Sequence, residues 1–392
     1  MKHFKRTGVA ALMAGAGLLA FGVAHAADGP QFKFSGFGTL AGTMTDHNDV
    51  KFRSSMNQSV GAGSSFDLGV DSRFGLQGTV DFGQGLTLVG QVLGQRRRVD
   101  DSVNSNRDFD LGVEWLMAQY SVNSNLDLRL GRVVLPAFMI SDSRNVTYSQ
   151  PWLRAPLEVY GQMPLTTLDG VQALWRIPVG AAVISVQPSV GKAMPNVGTA
   201  GVIVKPDEDR VAALNVTFEY GDWLARIGQT RGRNVNVNLD LGSAFGIPGL
   251  PALQYDMKDT FTNAGLQFDN GSALVMAEYA TRRQNNVPDS YPYFGGHPLA
   301  KTDHWYVAGG WHVGKWLPMV AYGKSTDLTV SPHTSTTGID LSVRYDLMPN
   351  VALKAQVSQY DSDDGAAMVS PTMAPTPVHK VNVLSVGLDF VF

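Results

Sequence analysis

Seven charged residues could do chemistry by their type and spacing, and that chemistry is electrostatic. Arg73, Arg97 and Arg129 occupy polar positions of segments in which apolar and polar residues alternate. Asp142, Arg144, Arg154 and Glu158 fall in the longest stretch without such alternation, about 136–166. Opposed charges across a narrow, low-dielectric passage orient dipolar solutes and set ion preference. The plainer reading is that the arginines are solvated groups and the acids pair locally.

Covalent chemistry has no comparable support. The chain contains no Gly-x-Ser-x-Gly and no credible triad, which argues against an enzyme. Gly36 to Ala41 matches a dinucleotide fingerprint, but without the strand–turn–helix context that gives the motif meaning. His297, His304 and His312 lack zinc-site spacing. Asp361, Asp363 and Asp364 before Gly365 lack the remaining ligands of a calcium loop. No cofactor is expected.

Composition narrows the class of protein. The 392 residues are 44% hydrophobic and 17% charged, with 42 Gly, no Cys and a net charge of −3. Soluble domains usually carry about a quarter charged residues. A disulfide scaffold and a Cys₄ zinc site are excluded. Nucleic-acid binding is not suggested, because such domains are usually strongly basic. Residues 1–26 read as a cleaved secretory signal. Lys2, Lys5 and Arg6 precede an apolar stretch from Gly8 to Val23, and Ala24-His25-Ala26 supplies the cleavage pattern. Losing those three basic groups takes the net charge from −3 to −6.

The elements that would position the charges are strands. Leu214, Val216, Phe218 and Tyr220 alternate with Asn215, Thr217 and Glu219. Leu384, Val386, Leu388, Phe390 and Phe392 form another such series. Period two places alternate side chains on opposite faces of a sheet. We read about sixteen such segments over 27–392, joined alternately by tight and long connections. Gly83-Gln84-Gly85, Gly221-Asp222 and Asp269-Asn270-Gly271 are typical of the tight ones, while about 42–70, 136–166 and 232–258 are long. Strict alternation of short turns and long loops is the pattern of an up-and-down barrel spanning a membrane. Only helices and closed barrels satisfy their backbone in hydrocarbon, and no run after Ala26 is apolar enough for a helix. Sixteen strands enclose a water-filled channel. Trp223, Tyr220, Tyr279, Trp305, Trp316, Tyr345 and Tyr322 are candidates for the interfacial aromatic girdles. Arg132 follows Leu128 and Leu130 in parity, which turns it toward lipid; a bulge at Gly131 or a place near the rim would relieve that.

The order of these features resembles the outer-membrane porins of Gram-negative bacteria. The resemblance rests on Phe32-Lys33-Phe34-Ser35-Gly36-Phe37-Gly38-Thr39-Leu40, Asp71-Ser72-Arg73-Phe74-Gly75-Leu76-Gln77-Gly78, Leu130-Gly131-Arg132 and the final Phe392. It implies an all-β transmembrane antiparallel up-and-down barrel whose loop after the fifth strand, about 136–166, folds inward as the constriction. It places Asp142, Arg144, Arg154 and Glu158 on that loop, opposite Arg73, Arg97 and Arg129 on the wall. It also implies that Phe392 is read by the barrel-assembly machinery, and that the chain forms a homotrimer in outer-membrane lipid. Arg96-Arg97-Arg98 then suits lumen or lipopolysaccharide contact better than nucleic acid. The expected function is passive diffusion of small hydrophilic solutes and ions. The alternatives are a substrate-selective porin for an anion or sugar, a barrel serving adhesion, and a secreted β-sandwich.

Overall fold

Alternating segments become walls when each backbone finds a partner on both sides. In the computed structural model this happens all the way round. Residues 29–55, 58, 60–96, 109–161, 165–193, 197–199, 202–204, 207–239, 253–285, 301–329, 331–363 and 378–392 are described. The expected signal, 1–26, and Arg97 lie outside them.

The wall begins with β1 (Gln31–Thr45), β2 (Arg73–Asp81), β3 (Leu86–Gln95), β4 (Asp110–Asn123) and β5 (Leu126–Val134). After the helical turn α1 (Leu157–Tyr160) come β6 (Thr167–Val179) and β7 (Ala182–Ala193). A small ribbon, β8 (Val197–Thr199) with β9 (Val202–Val204), stands apart from the wall. The wall resumes with β10 (Asp207–Tyr220), β11 (Trp223–Leu239), β12 (Leu253–Asp269) and β13 (Ala273–Asn285). It finishes with β14 (Lys301–Trp311), β15 (Trp316–Asp327), β16 (Thr334–Met348), β17 (Val351–Ser362) and β18 (Lys380–Val391). Sixteen antiparallel strands, all but β8 and β9, form one closed barrel in chain order.

Closure is made between the chain's two ends. β1 pairs with β18 from Phe37 opposite Val391 to Thr45 opposite Val383. Below this ladder Gly36 and Phe392 exchange both backbone bonds, at 2.8 and 2.9 Å. The short connections use positive φ where an L side chain would be strained: Gly221 stands at 58° and Gly314 at 61°.

The outer face is apolar, with Leu128, Leu130, Leu214, Ile227 and Leu341 exposed. Aromatic residues border it at two levels. Trp223 packs on Phe268 at 4.7 Å and Trp316 on Tyr345 at 4.4 Å, all beside short turns. Higher up, Trp305 meets Tyr322 at 5.5 Å and lies opposite Tyr279. Six residues separate Trp316 from Tyr322 along β15. That is roughly 20 Å along the strand, or roughly 15 Å of height at a tilt of about 40°, within the roughly 25 Å apolar band of an outer-membrane barrel.

Two features depart from the sequence reading, and Arg132 takes one of the two places that reading allowed. β11 and β12 continue through much of the expected 232–258 connection, because Val235 opposite Met257 resumes the ladder after a register shift at Gly232. Arg132 has a rim position. Gly131 does take an irregular φ of 124°, yet Arg132 stays in register opposite Asp169 on β6 and keeps its outward parity. Asp169 accepts a two-pronged bond from it, at 2.7 and 2.8 Å, which answers the charge locally.

The second departure concerns the expected long connection about 42–70. Val50, Phe52, Ala62 and Val70 are buried with Leu157, Tyr360, Val381 and Val383. The last three face inward on β17 and β18, so part of this segment lies inside the barrel.

The long connection 135–166 also turns inward. Its main chain or side chains bond Glu114 on β4, Asn215 on β10, Glu278 on β13, Arg344 on β16, Gln356 on β17 and Ser385 on β18. A segment leaving β5 can meet all of these only by crossing the interior. Its Phe138, Met139, Trp152, Val159 and Tyr160 join inward-facing Phe261, Met276, Tyr306, Leu317 and Met319 in one apolar cluster. The β13–β15 side of the lumen is therefore filled, while polar Gln77, Thr87, Gln119 and Thr217 remain partly exposed on the opposite side.

Candidate functional site

The charges gather where the inward segment approaches the polar side. Arg73 opens β2 with inward parity, and its Nη1 donates to the Arg144 carbonyl at 3.4 Å. Arg129, on β5, is held flat by two amides: Nε donates to Gln119 at 2.9 Å and Nη1 to Gln172 at 3.0 Å. Arg226, on β11, donates to the Met139 carbonyl at 3.4 Å. Asp142 sits in a one-turn 3₁₀ helix, Ser141–Ser143, and lies within the electrostatic reach of both Arg129 and Arg226. Arg73, Arg129, Asp142 and Arg144 are all half-buried. They stand where water and solute can reach them, but where low-dielectric walls strengthen their field. A cavity of about 370 Å³ adjoins Arg73 and Arg144, with Glu114, Asn145 and Trp152 also in its lining.

Two of the loop charges have a different place. Arg154 and Glu158 are buried, so neither presents its charge to open water. Arg154 makes a two-pronged ion pair with Asp71, Nη2 to Oδ2 at 2.5 Å and Nε to Oδ1 at 3.2 Å. Burial alone would raise the Asp71 carboxyl, but Arg154 and Thr43 hold it below its ordinary value. Glu158 enters a space between Gly323 and Gly338 where any Cβ would collide with its carboxylate. Among the described residues neither of its oxygens has a hydrogen-bond partner. Burial, and then neighbouring Asp340, push its carboxyl up to about 8.

The same docking uses groups that a sequence reading does not single out. Lys354 sends its Nζ to the carbonyls of Thr147, Gln150 and Trp152 at 2.5, 2.8 and 3.0 Å, and pairs with Asp389 at 2.8 Å. Glu278 accepts from the Met139 amide at 3.0 Å, from Tyr306 at 3.1 Å and from Tyr160. Inward parity on β13 and β17 was the available signal for Glu278 and Lys354; their loop partners are far away in sequence. Arg96, beside Arg97, is buried and paired with Asp67 at 2.8 Å.

A closed sixteen-strand wall with a charged inward loop suits a channel, and comparison with known proteins supplies the family. A family model described as Gram-negative porin matches residues 8–365. The chain belongs to this family. A comparison with curated proteins finds no match. Among solved structures, OmpF of Salmonella typhi in complex with daunomycin is 15% identical with a TM-score of 0.60, covering 93% of this porin and 98% of its own chain. The anion-selective porin from Comamonas acidovorans is 16% identical with a TM-score of 0.58, over 93% and 100%. OmpT of Vibrio cholerae in its trimer form is 14% identical with a TM-score of 0.55, over 93% and 100%. At these identities the likeness is one of fold. Family and fold place this porin in the outer membrane and point to a channel rather than an enzyme.

Proposed function

We propose that this porin passes small hydrophilic solutes and ions by diffusion, without a cofactor or covalent step, and that it prefers anions. The 135–166 segment acts as the constriction loop. One observation carries the preference: Asp142 lies within the electrostatic reach of both Arg129 and Arg226, and Arg73 and Arg144 stand half-buried beside one another at the same loop. Local charge at the narrowest point outweighs the −6 of the mature chain, because exposed charges farther than a Debye length of ~8–10 Å are screened. Export by the 1–26 signal, recognition of Phe392 by the assembly machinery, contact with lipid and lipopolysaccharide, and a homotrimeric state belong to the same reading.

The test is a planar bilayer with a KCl gradient. Anion preference sets the sign of the reversal potential, and a potential of the cation-selective sign would overturn it. Conductance that saturates at low solute concentration would favour a substrate-selective porin instead.

A further inference from the structure

The inward part of the first long connection packs on the pore loop at Leu157 and pairs with it at Arg154, and the Arg154 contact is dry. Asp71 is 1% exposed and Arg154 6%. Besides Asp71, the Arg154 guanidinium bonds the Ser385 hydroxyl at 2.7 Å. Thr43 donates to Asp71 at 2.8 Å and shares a 3.0 Å bond with Ser385. The guanidinium carbon stands 4.3 Å from the centre of the Phe52 ring, which stacks on Tyr360 at 5.9 Å. The Arg154 backbone is fixed as well, its amide donating to Gln356 at 2.9 Å and its carbonyl accepting from the same side chain at 3.2 Å.

β1, the 46–72 segment, the pore loop and β18 thus meet at one guanidinium. None of these contacts belongs to the wall's ladder, so the barrel can close without them. Of the loop, however, they hold the stretch just before α1, downstream of Arg144.

We propose that Asp71, Arg154 and Phe52 are positioning residues for the constriction, and that the stretches of this connection bearing Val50, Phe52, Ala62 and Val70 form a second lumen element that sets pore width. They clamp the loop against β17 and β18 and thereby keep Asp142 and Arg144 at their distance from the arginine wall. This inference rests on the reading of 135–166 as the constriction loop. A paired buried charge is stable only while both partners remain; removing one strands the other, whereas replacing both by apolar groups is often neutral.

The experiment uses the full chain, refolded, in planar bilayers, with polyethylene glycols of graded size as probes. Asp71→Leu is expected to raise single-channel conductance about twofold, add sub-states and admit larger polymers, with the heat-modifiable barrel band unchanged. Asp71→Leu combined with Arg154→Met should return conductance and polymer cut-off toward the native values. Phe52→Ala removes the stacking face without stranding a charge, and should widen the pore by a smaller step. Native conductance and cut-off in both Asp71→Leu and Phe52→Ala would overturn the clamp. If Asp71→Leu gives no barrel, Phe52→Ala decides alone. Arg129→Ala separates the two readings: it should shift the reversal potential whether or not the clamp exists. An unchanged potential there would count against the constriction itself.

Discussion

Charge at the lumen surface and charge buried behind the loop behave differently, although the residue types are the same. Arg129 is held by Gln119 and Gln172, neither of which neutralises it, while Asp142 lies in its field. Arg129→Ala is therefore expected to move the reversal potential toward cations and Asp142→Ala toward anions, each by several millivolts in a KCl gradient. Equal potentials in the two variants would remove both from the constriction.

Glu158 responds to pH instead. A carboxyl whose docked pKa is raised is neutral in place and ionised when released. Docking then gains from protonation at low pH, and that gain is lost as pH rises from about 4.3, the ordinary Glu value, to about 8. Asp340 from β16, His304 from β14 and Tyr360 from β17 are the titratable groups that interact with it. Current noise from loop excursions should increase between pH 5 and about 8, a window inside that range. Glu158→Gln should flatten the increase, and an unaltered profile in that variant would assign it to another group.

At the scale of elements, strands were legible and the segments between them were not. A strand writes its environment every second residue, as Leu214 to Tyr220 do, so sixteen spans and their turns could be read without tertiary information. Val50, Phe52, Ala62 and Val70 form no sustained alternation. Nothing local distinguishes them from a solvated loop, although all four are buried. Arg154 and Glu158 mislead for a related reason. A charge in a loop suggests water, and only Asp71 and two glycines distant in sequence make burial possible.

Lys354 gives this scale its clearest test, because one ammonium holds three consecutive-turn carbonyls of the loop. Lys354→Met would leave those carbonyls unsatisfied and Asp389 without its cation, at a cost of about 3–5 kcal/mol to docking. Hydrogen exchange of residues 147–152 should quicken while the wall strands keep their protection. Slow exchange in the variant would show that the lysine holds nothing. The seam is a second case. A Cβ on Gly36 would lie 2.3 Å from the Phe392 ring, so Gly36→Val must displace that ring from the closing pair. The heat-modifiable band should melt earlier, by the equivalent of about 1–3 kcal/mol; unchanged melting would mean the ring relocates freely.

Across the whole molecule the wall is uneven. β2 and β5 have 9 residues each and β3 has 10, whereas β11 and β12 have 17. Nine residues tilted at about 40° reach only some 23 Å, slightly less than the roughly 25 Å apolar band of such barrels. The low side also carries the most open apolar side chains, Leu111 at 76% and Phe34 at 74% exposed. A short, strongly apolar sector is better covered by neighbouring protein than by lipid, and threefold association would place that sector at the centre of the assembly. The expected outcome is conductance that closes in three equal steps, with a detergent-resistant band of trimer mass. Leu111→Arg should then abolish the triplet steps and the band, because an arginine buried between protomers without a partner is far costlier than one at a lipid interface. A lone lipid-facing barrel would respond otherwise: single-step closure in the native protein, and a Leu111→Arg variant that loses at most about 2–4 kcal/mol of barrel stability with its conductance steps unaltered.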